Sequence, residues 1–287
     1  MVDQGITALV GDVTTTPTIA VAQEAARDGI PMITATGTGV EITQKGENVF
    51  RACFTDPFQG TLMASYAAQK LGAKTAAILY NTADDYSRGL TAAFEETAAQ
   101  LGLSVVEKVS YTGGDVDFKA QLTQVKAKNP DVFFIPVYYE DAALITVQAK
   151  EVGISCTLLG ADGWDGVLDK VDESNLDALS KVYLPMHYSS EGTDENLQNF
   201  VKKYTEKYNE TPNSFAALGY DAAYMMKNAI EKANSTDKAA IVAALKDIEF
   251  DGVTGHIVFD ENRNPIKRAA ITTIADAKYK FVEFFEK

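Results

Sequence analysis

Apolar and polar positions alternate along this chain in blocks. The first block runs over residues 6–43: the apolar run ITALVG, the polar stretch DVTTTP, the amphipathic run IAVAQEAARDG, a second apolar run PMITA and then TGTG. Short apolar runs bounded by turn residues predict buried strands, and alanines at helical spacing predict a helix between them. Both predicted strands end in clusters of Thr and Gly. In an open parallel α/β sheet, ligands sit beyond the carboxyl ends of the strands. Thr14, Thr15 and Thr16 on one turn, and Thr34, Thr36 and Thr38 on the next, therefore place hydroxyls and backbone N–H groups at one mouth. Pro17 falls in the first turn of the following helix, where its missing N–H costs nothing. Such a helix start receives a small anion well, although each threonine taken alone fits helix capping equally.

A third strand is predicted at 48–54 (NVFRACF), followed by a helix opened by Asp56 as N-cap with Pro57 at its first position. A strict alternation follows. Strands at 74–81, 103–111, 131–139, 155–160 and 181–188 are separated by helices at 86–101, 117–128 and 140–152 and a shorter helical piece at 167–179. Strands and helices alternating at this length predict a mainly parallel, doubly wound sheet with right-handed crossovers. Three helices then follow without strands between them, at 195–208, 214–233 and 237–247. The chain closes with alternating runs at 255–260, 269–275 and 279–285 that predict antiparallel strands. The three helices need an open sheet face, which the first three strands offer. This predicts a first lobe of residues 1–54 and 188–252 and a second of 55–187 and 253–287, joined by three crossings that form a hinge beside a cleft.

Length supports this division, since 287 residues exceed what one core usually serves. A formal net charge of -14 argues against nucleic acid or an anionic membrane as partner. No run of about 18 apolar residues occurs, and the opening MVDQGITALVG lacks the basic and apolar regions of a signal peptide. Residues 2–5 read as the end of a helix with a glycine stop, as though a helix preceded them. Cys53 and Cys156 show no metal or redox spacing and are read as buried thiols, with a disulfide as the alternative.

No catalytic chemistry emerges. His187 and His256 are the only histidines, and neither neighbours a nucleophile motif. The run Gly37, Thr38, Gly39 lacks the third glycine of a dinucleotide fingerprint, because Ile42 stands there. Asp162, Asp165, Asp169 and Asp172 lack calcium-loop spacing and read as an exposed acidic face. The expectation is a non-enzymatic protein without metal or cofactor.

Four stretches carry a resemblance: GDVTTTPT with PMITATGTGVEIT, NVFRACFTDPFQG, VYYEDAA followed by LLGADGWDG, and FDGVTGHIVFDENRNP. Together, and in this order, they resemble the solute-binding proteins of the leucine/isoleucine/valine-binding type. The resemblance implies the type I periplasmic binding protein (Venus-flytrap) fold, with two Rossmann-like lobes on a three-segment hinge. Family members begin with two further strand-helix units, so the first lobe is expected to be incomplete here. Arg263 stands where the family's closing turn usually has Gly, so that turn is expected to take another form.

By the resemblance, Thr15 and Thr38 hold a ligand carboxylate, Thr36 offers backbone groups, Tyr138 faces them from the second lobe, and Asp162 pairs with a ligand ammonium. Asp56, Trp164 and Phe215 line the cleft or side-chain pocket. From the residues alone, Tyr138 fits an ordinary strand aromatic, Asp162 a turn residue, and Trp164 and Phe215 core. The implied function is binding of a small, aliphatic amino acid by hinge closure, for delivery to the membrane subunits of an ABC importer. A periplasmic or extracellular location follows from the resemblance, with a lipoprotein anchor as one form of it. A ligand-sensing regulator or receptor domain of the same fold is the alternative. An incomplete first lobe exposes apolar strand edges, which predicts self-association.

Overall fold

A computed structural model describes residues 4–285, and the chain divides into two compact units. Residues Met1–Thr55 and Ser190–Lys267 form the first, and Asp56–Ser189 and Arg268–Lys287 the second. The chain therefore passes three times from one unit to the other. The helix end read at residues 2–5 lies largely outside the described residues, although Gly5 has the positive φ of 68° that such a stop uses.

In the first unit, β1 (Leu9–Val10), β2 (Met32–Thr34) and β3 (Val49–Arg51) form a parallel sheet in the order β1-β2-β3. Alternation decides its two faces. Met32 and Val49 pack with Ala22 and Ala25 of α1 (Thr15–Arg27), whereas Ile33 and Phe50 pack with Leu218, Met225, Ile241 and Leu245. The latter four come from α7 (Ser214–Ala233) and α8 (Lys238–Lys246), so the helices in a row do cover the open face.

The helix ends were readable because the cap chemistry is local. Asp194, Asn213 and Asp237 cap α6 (Glu195–Tyr208), α7 and α8 by accepting from the third backbone N–H beyond. Asn209 and Asn234 end α6 and α7 in the left-handed region. α2 (Asp56–Gln69) starts on Asp56 itself, one residue earlier than predicted.

A hairpin of β9 (Phe250–Gly252) and β10 (Gly255–Ile257) also belongs to the first unit. The sequence reading crossed over near Gly252, but residues 253–267 stay here for a physical reason. The buried Asp221 carboxylate of α7 accepts from Val253 N, Thr254 N and Thr254 Oγ1, and a Cβ on Gly252 would lie 2.5 Å from that carboxylate. Arg263 adopts the left-handed conformation, with φ 63°. Its guanidinium donates to Thr43 O at 2.8 Å and Val49 O at 3.1 Å and pairs with Glu47 at 3.1 Å, which offsets the cost of a side chain there.

The second unit holds a seven-stranded sheet in the order β12-β11-β8-β7-β6-β4-β5. β4 (Thr75–Asn81), β5 (Ser104–Tyr111), β6 (Val132–Phe134), β7 (Thr157–Leu159) and β8 (Val182–Met186) run parallel, and β11 (Ala269–Ala275) and β12 (Lys278–Phe285) close it antiparallel. One face carries α4 (Lys119–Lys128) and α5 (Tyr139–Val152) around Phe133, Leu79 and Ile145. On the other, Phe134 stacks on Phe94 of α3 (Asp85–Leu101), with centroids 4.3 Å apart.

Two predictions are corrected here. The apolar run 131–139 leaves the sheet at Phe134, because Pro136 cannot donate to a ladder and Tyr138 already caps α5. The helical piece at 167–179 consists of 3-10 turns, Val167–Asp169 and Glu173–Leu179. Cys53 is a buried thiol outside any disulfide, as read; Cys156 is also outside a disulfide but only half-buried, and burial still pushes its thiol up to about 11.

Candidate functional site

In the first unit the predicted threonines converge at the carboxyl ends of β1 and β2. Thr15 opens α1 and is buried, and its Oγ1 accepts from Gly39 N at 3.2 Å. Thr34 Oγ1 donates to Asp12 O and accepts from Gly37 N, and Thr36 Oγ1 donates to Val13 O at 2.7 Å. These bonds tie the two Thr-rich turns to each other. The Thr36 hydroxyl proton is taken up by the scaffold. Thr38 is 1% exposed, and its hydroxyl has no hydrogen-bond partner among the described residues.

Sequence reasoning missed the residue beneath this loop. Arg51, at the end of β3 and fully buried, donates to Gly37 O at 2.8 Å and Gly39 O at 2.7 Å. With the loop carbonyls turned toward the guanidinium, a full positive charge sits under the Thr-Gly turn, where low dielectric lets it attract an anion. The only signal for it was a cation inside an otherwise apolar strand. Gly39 must be small, since a Cβ there would lie 2.4 Å from Thr15 Cγ2.

In the second unit the carboxyl ends of β6, β7 and β8 bring a second group together. Asp162 begins a 3-10 turn (Asp162–Trp164) and is 4% exposed. Its Oδ1 accepts from Tyr86 Oη at 2.7 Å, its Oδ2 lies 2.9 Å from His187 Nε2, and its backbone N donates to Gln59 Oε1 at 3.0 Å. Tyr86 also accepts from Gly163 N at 2.8 Å and stacks on Tyr138, with centroids 4.5 Å apart and planes 14° from parallel. Burial, and then the charge of Asp162, hold the Tyr86 phenol well above its usual range, so it remains a donor. Tyr138 and Asp162 thus share one site through Tyr86. A Cβ on Gly163 would lie 2.7 Å from Tyr86 Oη and 2.9 Å from Tyr138 Cδ1, so the turn needs glycine there.

Tyr86, Gln59 and His187 carried no signal in the sequence, because each lies on a different element. Asp56 opens α2 and is buried, with Gly89 of α3 close enough that a Cβ would lie 3.3 Å from its Oδ2. Phe215 sits half-buried in the first turn of α7 in the first unit. Trp164, which the resemblance put at the cleft or pocket and the residues alone put in the core, is fully enclosed: its ring packs over Gly160 and its Nε1 donates to Ile135 O at 2.8 Å. The turn thus carries Asp162 at its start and buries its large aromatic in the core.

Comparison with known proteins gives these geometries a context. The sequence pattern of the family described as periplasmic binding protein matches residues 1–279. A Leu/Ile/Val-binding protein homologue of Brucella melitensis is 29% identical over 244 residues, covering 85% of this chain and 65% of its own length. A leucine-, isoleucine-, valine-, threonine- and alanine-binding protein of Pseudomonas aeruginosa is 25% identical, covering 91% and 69%. The chain thus spans about two thirds of the length of the curated relatives it matches. Among solved structures, the leucine-binding protein LivK of Thermotoga maritima superposes with a TM-score of 0.92 at 34% identity, covering 98% of this chain and 80% of that one. The branched-chain substrate-binding protein LivJ of Streptococcus pneumoniae, in complex with isoleucine, gives 0.91 at 30% identity, covering 99% and 80%.

Proposed function

Because the chain belongs to the periplasmic binding protein family, we propose that it captures a small aliphatic amino acid of the branched-chain type. The observation that carries this reading is two chemically different groups, one built in each unit. The first unit offers Thr15, Thr38 and backbone N–H groups over the buried Arg51, which suit a carboxylate. The second offers a buried carboxylate, Asp162, beside the Tyr86 and Tyr138 rings, which suits an ammonium. A zwitterion needs donors at one end and an acceptor charge at the other, and charge-assisted hydrogen bonds are the strong ones.

The ligand would select the closed arrangement of the two lobes through contacts it makes only there. Delivery would be to the membrane subunits of an ABC importer, with the binding protein outside the cytoplasmic membrane. Relatives named for binding leucine, isoleucine and valine support this ligand class.

Thermal denaturation with leucine, isoleucine, valine and alanine tests the proposal. A ligand at 100 times its Kd stabilises the folded state by about 2.7 kcal/mol and raises the melting temperature. Asp162→Asn should weaken calorimetric binding of the same ligand roughly 10- to 100-fold, the range for a lost charged hydrogen bond of about 1.5–3 kcal/mol. No shift with any of the four would refute the ligand class, and undiminished binding by D162N would refute the ammonium contact.

A further inference from the structure

We propose that His187 is a positioning residue whose own charge sets how strongly Asp162 holds a ligand's ammonium group. The inference rests on the amino-acid reading above. His187 directly follows β8, which is held by β7 on one side and antiparallel β11 on the other, so its backbone position is fixed by the sheet. The side chain is 4% exposed, and its Nε2 lies 2.9 Å from Asp162 Oδ2. Tyr86 already donates to the other carboxylate oxygen. The two contacts orient the Asp162 carboxylate from both sides.

The charge state of the imidazole decides what is left for a ligand. A neutral ring with its proton on Nε2 donates one hydrogen bond. It leaves the carboxylate its full charge and about two of its roughly four lone-pair sites. A doubly protonated ring becomes a cation in contact with Asp162. It then satisfies that charge internally, and an incoming ammonium meets a like charge instead of an unshared carboxylate. Histidine is the side chain that makes this change between about pH 5 and 8.

The other titratable and charged groups on the elements that build this site are Tyr86 on α3, Tyr138 at the head of α5, Asp56 on α2, Asp165 just after the turn of Asp162 and Arg268 just before β11. Tyr86 stays protonated, and Arg268 lies over the Phe284 ring, 4.6 Å from its centroid. In the pH 5–8 window His187 is therefore the group in contact with Asp162 that changes charge. Ligand is held at neutral pH and let go in acid.

The test is isothermal calorimetry with leucine, isoleucine and valine from pH 5 to 8, on the wild-type chain and on His187→Gln, which keeps a donor but cannot take a second proton. Wild-type affinity should fall as pH falls, approaching about tenfold per pH unit, the slope of one coupled proton, and H187Q should bind equally at both ends of the range. Proton NMR of the wild-type chain gives a reading that needs no variant, because His187 and the exposed His256 are its only imidazoles. Saturating ligand should lower the His187 titration midpoint, by reciprocal linkage, and leave that of His256 in place. Binding that is independent of pH, a slope retained in H187Q, or an unmoved His187 midpoint would overturn this inference and leave the amino-acid reading standing. No binding at any pH would overturn both.

Discussion

Arg51 shows how a single buried side chain shapes a site it need not touch. Its guanidinium donates to Gly37 O and Gly39 O, and an apolar side chain would leave Gly37 O only the weak Cys53 Sγ donor. Arg51→Met should therefore lower stability by about 3 kcal/mol, since each buried hydrogen bond to a charged group is worth about 1.5–3 kcal/mol and the weakly bonded carbonyl adds its own cost. Chemical denaturation measures this, and a change below about 1 kcal/mol would show that the loop holds itself. Lys267 offers a prediction of another kind. Burial lowers its ammonium to about 8, against the upward pull of Asp221, and its Nζ donates to Thr254 Oγ1. Between about pH 8 and 10.5 the unfolded chain keeps this proton while the folded chain has lost it. The contribution of Lys267 to stability therefore rises with pH through that window and is unfavourable below it. Urea midpoints of wild type and Lys267→Met should diverge in favour of wild type from pH 8 to 10.5; parallel curves would contradict the shifted ionisation.

At the scale of elements, the helices of the first unit and its sheet differ in how well they are finished. α6, α7 and α8 each carry a side-chain N-cap, and their bounds follow from local chemistry. β1 has only two residues, pairs on one side with β2, and is an edge among the described residues. Val10 and Val13 are 42% and 49% exposed there. An apolar edge with unpaired backbone groups templates another strand. The chain is expected to self-associate at high concentration, and Val10→Lys should shift sedimentation toward monomer. A wild-type sample that stays monomeric would remove the edge as an interaction surface.

For the whole molecule, charge is the dominant long-range term. A net charge of -14 repels itself in the folded state, and salt screens it over about 10 Å at 0.1 M. Raising sodium chloride from 0.05 to 0.5 M should increase the melting temperature. A decrease would mean that surface ion pairs such as Lys70–Glu283 and Lys246–Glu47 contribute more than the repulsion costs. The three passages between units set the architecture at this scale, and the last comes at Lys267, later than the apolar pattern suggests. The reason is the Asp221 carboxylate, which holds Val253 and Thr254 to α7 through bonds spanning more than thirty residues.

By itself the sequence determined what local chemistry controls. Alternation of apolar positions set the strands and the two faces of each sheet, caps set the helix ends, and the matched stretches pointed to Thr15, Thr38, Tyr138 and Asp162. Tertiary structure alone decided what surrounds those residues. Tyr86 reaches Asp162 from 76 positions away, His187 from 25, and Arg51 reaches back beneath its own loop. Such contacts leave no periodicity or spacing behind, because the partners are brought together by the packing of different elements. Trp164 makes the same point in reverse: two positions from Asp162 in sequence, it was turned into the core because a glycine at position 160 left room for its ring.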